Sequence, residues 1–263
     1  MTPVGSHAIE VAADRLAHAA RVRTPCAPVR DLIGRDDVGA AYLVQSRNVD
    51  SLVRSGRLIV GRKIGLTSKA VQAQLGVDQP DFGVLLDDFD VSDVGAIAFD
   101  RLLQPRIEAE IGFLLASDIE EPTTAERVQS SVSTVFASFE IVDSRISDWD
   151  ISLADTIADN ASSGLYVLGD RVDRTAVPNL ADVTMTMTAD GELVSEGRGS
   201  DCLGSPWEAL AWLANTSIEY GSALRAGEVV LSGALGPMVS VTRGSTFHAS
   251  IVGVGDVTAT FTK

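Results

Sequence analysis

The stretch Gln104-Pro105-Arg106-Ile107-Glu108-Ala109-Glu110-Ile111-Gly112-Phe113-Leu114-Leu115 decides how this chain folds. Ile107, Ala109, Ile111 and Phe113 alternate with Glu108 and Glu110. That is the two-residue period of a β-strand, not the 3.6-residue period of a helix. Four apolar side chains share one face of the strand, and two carboxylates share the other. The Cα atoms of Glu108 and Glu110 then stand roughly 6.6 Å apart, with both acids pointing the same way.

Outward from this strand, β-rich runs bounded by Gly or Asp continue at Leu165 to Leu168, Val183 to Thr188, Val229 to Ser232, Met238 to Thr242 and Thr246 to Val252. Thr184 to Thr188 followed by Ala189-Asp190-Gly191 reads as a strand entering a tight turn. Two helices interrupt the strands. Thr123 with Glu126 forms a capping box and predicts a helix running to about Ala137. Ser205-Pro206-Trp207-Glu208 supplies a cap, a proline at the first helical position and an early acid, and Gly221 ends that helix.

Toward the N-terminus the period changes. Ile9, Ala13, Leu16 and Ala20 recur at helical spacing until Thr24-Pro25, and Val38, Ala41, Tyr42, Gln45, Val49 and Leu52 form a second stripe. A short helix is expected from about Lys69 to Leu75, with Thr67 or Ser68 as its cap and Gly76 as its stop. The change of character near Phe82 predicts a helical region over 1–81 and a mixed-β domain over 82–263, together one functional unit. The class is α+β, because the strands are joined mostly by turns; a doubly wound parallel sheet needs regular strand–helix alternation.

The chain has 263 residues, 45% apolar and 22% charged, which excludes a disordered chain, a collagen or a coiled-coil rod. With 21 Lys and Arg against 36 Asp and Glu, the net charge is −15. So acidic a surface repels phosphate backbones and anionic lipid, so neither nucleic acid nor a membrane is an expected partner. Cys26 and Cys202 allow at most one disulfide and form no metal-ligand cluster. No secretory leader is read at the N-terminus, and no run approaches the roughly 20 apolar residues of a membrane helix. The expected location is the reducing cytoplasm.

Like charges side by side on a strand need a reason. A hard divalent cation such as Mg²⁺, which takes oxygen ligands, is one. Glu140, inside the apolar run Val135 to Val142, would be its third carboxylate. The other reading is a solvated strand face, with Glu140 paired to Arg145 or Arg106. The residues alone leave the two open. Gly61-Arg62-Lys63-Ile64-Gly65-Leu66-Thr67 sets a lysine between glycines that let backbone approach a ligand, but it is not a Walker A loop. Asp78-Gln79-Pro80-Asp81-Phe82-Gly83 reads as a surface turn. Asp159 to Gly164 reads as a turn or as an anion-binding loop, and the acidic run Ile141 to Asp155 as a solvated loop. No histidine clusters with an acid and a serine or cysteine, which argues against a nucleophilic hydrolase.

Five segments in order carry a resemblance: GRKIGLTSKAVQAQLGVDQPDFGVLL (Gly61 to Leu86), QPRIEAEIGFLL (Gln104 to Leu115), FEIVDSRISDW (Phe139 to Trp149), ADNASSGLYVLG (Ala158 to Gly169) and LSGALGPMV (Leu231 to Val239). Over Leu32 to the end the chain resembles the 2-keto-4-pentenoate hydratase family of the fumarylacetoacetate hydrolase superfamily. The resemblance implies a fumarylacetoacetase C-terminal-like mixed β-sandwich or roll behind a helical N-terminal region, with catalysis in the 82–263 part. It implies Mg²⁺ or Mn²⁺ on Glu108, Glu110 and Glu140, catalytic roles for Lys63 and Asp78, and a substrate pocket lined by Ser162 and Leu66. The implied reaction is hydration of a 2-hydroxy-2,4-dienoate to a 4-hydroxy-2-oxo acid in meta-cleavage catabolism. The alternative is a 4-oxalocrotonate-type decarboxylase, which shares most of these motifs. A non-catalytic cation-binding protein on this fold would lack one of the carboxylates or Lys63, and all are present. The resemblance further implies a homo-oligomer, pentamer or decamer, open to association with a downstream aldolase. Ala12, Ala13, Ala17, Ala19 and Ala20 are the small residues expected to pack against a neighbouring subunit.

Overall fold

The computed structural model describes residues 4–68, 72 and 79–263. Helix α1 (Ser6–Val22) buries Ala12, Ala13, Leu16 and Ala19, so the stripe passes through Ala19 rather than Ala20. Arg23 turns left-handed at φ 54° and ends it. After the short α2 (Arg30–Ile33), helix α3 (Val38–Arg54) starts where the Asp37 side chain accepts the Ala40 N–H, and it buries Ala41, Tyr42, Gln45 and Val49. The two long helices pack on each other at the N-terminal end of the molecule.

The strands follow as β1 (Ile59–Gly65), β2 (Asp81–Leu86), β3 (Arg106–Leu115), β4 (Val132–Val142), β5 (Ser163–Leu168) and β6 (Val172–Asp173). Then come β7 (Thr184–Ala189), β8 (Glu192–Arg198), β9 (Val229–Ala234), β10 (Val239–Ser240), β11 (Thr246–Ile251) and β12 (Gly255–Thr260). The larger sheet runs β2-β1-β9-β3-β4-β5, with β10 on β3 and β6 on β4. The β1–β9 pair is parallel and the β1–β2 and β3–β4 pairs are antiparallel, so the sheet is mixed. The second sheet runs β12-β11-β7-β8 and meets the first along β4 and β5. The expected hairpin turn is present: Asp190 and Gly191 sit at φ 51° and 88° between β7 and β8.

The shorter helices are α4 (Ala125–Val128), α5 (Leu153–Ala158) and α6 (Pro206–Glu219). Helix α6 begins as its sequence requires, with the Ser205 hydroxyl accepting the Trp207 N–H, and it buries Trp207 on Phe113 with ring centroids 4.6 Å apart. Ile107, Ala109, Ile111 and Phe113 are all buried on that side of β3. Each of the larger ones contributes about 1.5–3 kcal/mol by leaving water. Among the described residues, no helix is long and apolar enough to cross a membrane.

Three expectations change. The helix expected from Thr123 to Ala137 is a single turn, α4, capped by Thr124 rather than Thr123. Val132-Ser133-Thr134-Val135-Phe136 is rich in β-branched and aromatic residues, and pairing along the whole of β3 overrides the cap signal. The helical region stops at Arg54, because β1 joins the large sheet; a boundary at residue 81 falls on the first residue of β2. The run Ile141 to Asp155 is not a solvated loop throughout, since Asp143 and Asp155 are buried. Asp155 accepts the Val29 and Arg30 N–H groups and pairs with the Arg30 guanidinium at 2.8 Å, fastening α2 to α5. Asp143 accepts the Leu103 and Gln104 N–H groups. Carboxylates so supplied with donors can be buried. The helix expected over Lys69 to Leu75 lies, Gln72 apart, outside the described residues, as does Asp78.

Candidate active site

Strands β3 and β4 bring three glutamates together. Glu108 stands directly across the ladder from Glu140, and Glu110 is one pleat along, opposite Ser138. One oxygen from each lies within 4.8 Å of the others. Glu110 is 0% and Glu140 1% exposed, which overturns the solvated-face reading. Neither proposed arginine neutralises Glu140. Arg145 is bound to Asp159, and Arg106 lies over the Trp149 ring at 4.5 Å.

The counter-charge comes from β1. Lys63 Nζ lies 2.9 Å from Glu140 Oε1, and both side chains are almost fully buried. A register shift where β3 meets β9 turns the Gly233 N–H onto Glu110 Oε2 at 2.9 Å. Gly233 is left-handed, at φ 95°, and a Cβ there would meet the Thr67 side chain at 2.4 Å. No described hydrogen-bond donor reaches Glu110 Oε1 or Glu140 Oε2.

Electrostatics follow from this crowding. Burial, then the charges of Glu140 and Glu108, hold Glu110 well above the ordinary carboxylate range. Burial and Glu140 push Glu108 up to about 7. Burial also raises Glu140, although Lys63 opposes it. For Lys63, burial pulls down, but Glu140, Asp81 and Glu108 together carry it upward, so the ammonium is kept charged. Two buried acids and one half-buried one beside a single lysine leave bare carboxylate oxygens. Those oxygens suit a hard divalent cation.

Asp78 lies outside the described residues; Asp81, which the sequence reading does not single out, lies beside the cluster. Asp81 opens β2 opposite Gly65 and is 1% exposed, with no donor on Oδ1 among the described residues. Burial raises it to about 6, while Lys63 and the Thr156 hydroxyl lower it and Glu140 raises it. A Cβ on Gly65 would lie 2.1 Å from Asp81 Oδ1, so this glycine makes room for the carboxylate. The segment read as a surface turn thus continues into a buried strand. Burial of the following Phe82, Gly83 and Val84 is the signal that the apolar run Phe82 to Leu86 carried.

Ser162 is buried, and its Oγ lies 3.2 Å from the Thr156 Oγ1. The Thr156 hydroxyl in turn favours the ionised form of Asp81. Leu66, left-handed at φ 57°, follows β1, and its carbonyl accepts the Gln72 side chain at 2.7 Å. Lys63, Glu108, Glu110 and Glu140 therefore form one cluster, with Asp81, Thr156 and Ser162 extending it on one side.

Comparison with known proteins identifies the family. Residues 62–262 match the fumarylacetoacetate (FAA) hydrolase C-terminal family. The 2-keto-4-pentenoate hydratase of Paraburkholderia xenovorans (strain LB400) is 49% identical over 253 residues, 96% of this chain and 94% of that protein. The 2-hydroxyhexa-2,4-dienoate hydratase of Comamonas testosteroni is 42% identical over 258 residues, 97% of this chain and 98% of that protein. The 4-oxalocrotonate decarboxylase from Pseudomonas putida G7, solved in complex with magnesium and adipate, superposes with a TM-score of 0.92 at 30% identity over 98% of each chain. The chain belongs to the fumarylacetoacetate hydrolase superfamily and, within it, to the 2-keto-4-pentenoate hydratase family.

Proposed function

We propose that this chain is a divalent-metal-dependent hydro-lyase of meta-cleavage catabolism, adding water to a 2-hydroxy-2,4-dienoate to give a 4-hydroxy-2-oxo acid. The observation that carries this reading is the cluster of half-buried Glu108 with buried Glu110 and Glu140, with Lys63 at 2.9 Å from Glu140. The three glutamates would hold Mg²⁺ or Mn²⁺, which supplies Lewis-acid stabilisation of charge on the substrate's carboxylate and 2-oxygen.

The chain's own residues handle the protons. The reaction has two stages: the 2-hydroxyl loses a proton as carbon 5 gains one, then water oxygen bonds carbon 4 as carbon 3 gains a proton. Lys63 Nζ points its protons at the 2-oxygen, where negative charge develops in both stages. Asp81 Oδ1 takes the proton from the attacking water. Its value of about 6 leaves it largely ionised, yet protonatable, near neutral pH. Ser162 and Leu66 line the pocket and orient the diene. Burial of Lys63, Asp81 and Glu110 keeps bulk water from these charges.

The test is an ultraviolet assay with freshly made 2-hydroxypenta-2,4-dienoate and product analysis. Loss of the dienol absorbance with formation of 4-hydroxy-2-oxopentanoate is expected, abolished by dialysis against EDTA and restored by Mg²⁺ or Mn²⁺. An inert dienoate, with CO₂ release from 2-oxohex-3-enedioate instead, would overturn hydration in favour of decarboxylation. Full activity after metal removal would overturn the carboxylate assignment.

A further inference from the structure

Asn160, Ala161 and Ser162 form three consecutive non-glycine residues in the left-handed region, at φ 54°, 51° and 55°. Side chains with a Cβ rarely adopt one such conformation, and three in a row persist only if the surroundings impose them. The surroundings are visible. Arg145 Nε donates to Asp159 Oδ1 at 2.5 Å, its N–H donates to Asp159 Oδ2 at 2.9 Å, and its guanidinium also donates to the Asp159 and Ser163 carbonyls. One arginine thus grips the chain immediately before and immediately after the turn.

From the other side, β2 holds the turn. The Asn160 side chain accepts the Val84 N–H at 2.8 Å and donates to the Val84 carbonyl at 2.9 Å, pairing with the strand as a backbone would. Gly83 lets the two segments meet, since a Cβ there would lie 2.5 Å from the Asn160 carbonyl oxygen. The product of these restraints is the placement of Ser162 Oγ 3.2 Å from Thr156 Oγ1, the hydroxyl that favours the ionised form of Asp81.

We propose that Arg145 is a positioning residue for the catalytic pocket: through Asp159 and the Ser163 carbonyl it imposes the left-handed 160–162 turn and so sets Ser162 and Thr156 against Asp81. Arg145 itself touches none of Glu108, Glu110, Glu140 or Lys63 among the described contacts. Its effect is on pocket geometry and not on metal binding. The proposal rests on the hydratase reading only for its kinetic readout.

Arg145→Lys keeps the charge but lacks the planar fork that grips both ends of the turn at once. The expected result is a folded protein with unchanged Mg²⁺ affinity and a kcat/KM lower by on the order of tenfold to 10²-fold, the scale of a small misplacement of catalytic groups. Adding Ala161→Gly should restore most of that loss, because glycine takes a left-handed φ without being forced. A general loss of structure would not be repaired by that glycine. Hydrogen–deuterium exchange gives a readout independent of turnover: amides at 159–165 should exchange faster in Arg145→Lys, with those of β3 unchanged. Wild-type kcat/KM in Arg145→Lys, or a loss that Ala161→Gly leaves in place, overturns the proposal. If wild-type protein leaves the dienoate inert, the hydratase reading fails, and unchanged exchange at 159–165 still overturns the positioning role.

Discussion

At the scale of single residues, the ion pair between Lys63 and Glu140 makes a definite kinetic statement. A surface lysine can be truncated with little effect. Lys63 is 2% exposed and sits among carboxylates that keep it protonated. Its charge acts more strongly on a developing oxyanion than on the ground-state enol, so its removal lowers kcat more than it raises KM. Lys63→Met keeps much of the stem and deletes the ammonium. A fall in kcat of ~10²-fold, about 3 kcal/mol of transition-state stabilisation, is expected from steady-state kinetics. The same change leaves Glu140 buried and unpaired, so the metal-free variant should melt at a lower temperature than metal-free wild type. Lys63→Arg should rescue kcat poorly, since a planar fork does not place a proton where a compact ammonium does. Wild-type turnover in folded Lys63→Met would remove the lysine from the mechanism.

At the scale of the element, strand β1 carries two glycines with different duties. A Cβ on Gly61 would lie 1.9 Å from the backbone oxygen of Val229, in the parallel β1–β9 pair. Backbone cannot swing aside, so Gly61→Ala should destabilise the fold, by about 1–3 kcal/mol as overpacking generally does. A Cβ on Gly65 meets the Asp81 carboxylate instead, a side chain that can move. Gly65→Ala should therefore retain most of its stability yet lose activity, measured by parallel thermal melts and dienoate kinetics; equal activity would separate Asp81 from the reaction. The same strand shows where sequence reading stops. The Ser205 cap, the α3 stripe and the alternation of β3 were legible because each is set by neighbours in sequence. Strand β1 was not, because Ile59–Gly65 is short and glycine-rich, and its partners β2 and β9 are supplied from far along the chain. The carboxylates of β3 could be read as a pair. Glu140 could be named as a third carboxylate from its apolar surroundings and from the motif resemblance, but that it stands opposite Glu108 is a fact of cross-strand register that neither gives. Asp81 was not singled out for a related reason: it shares a six-residue segment with Asp78, which lies outside the described residues, and only its pairing with Gly65 brings it to the cluster.

At the scale of the whole molecule, the open matter is how a chain of net charge −15 would associate with itself. Close approach of two such surfaces is opposed unless the contact is largely neutral. The alanines of α1 do not provide that contact as a set, because Ala12, Ala13 and Ala19 are buried within the subunit. A better candidate lies where α3 runs into β1. Leu52, Val53, Leu58 and Ile59 are 43%, 40%, 64% and 39% exposed. Single exposed apolar residues are ordinary on a protein surface, but four within eight positions make a patch that a neighbouring subunit would cover. The expected outcome of light scattering at micromolar concentration is a homo-oligomer larger than a dimer of the 27.7 kDa chain. Leu58→Asp should lower that mass while circular dichroism stays that of the wild type, since the side chain makes little use of the subunit's own core. A wild-type monomer would overturn the assembly. An oligomer indifferent to Leu58→Asp would move the interface elsewhere, because a carboxylate buried without a partner costs several kcal/mol in any contact that covers it.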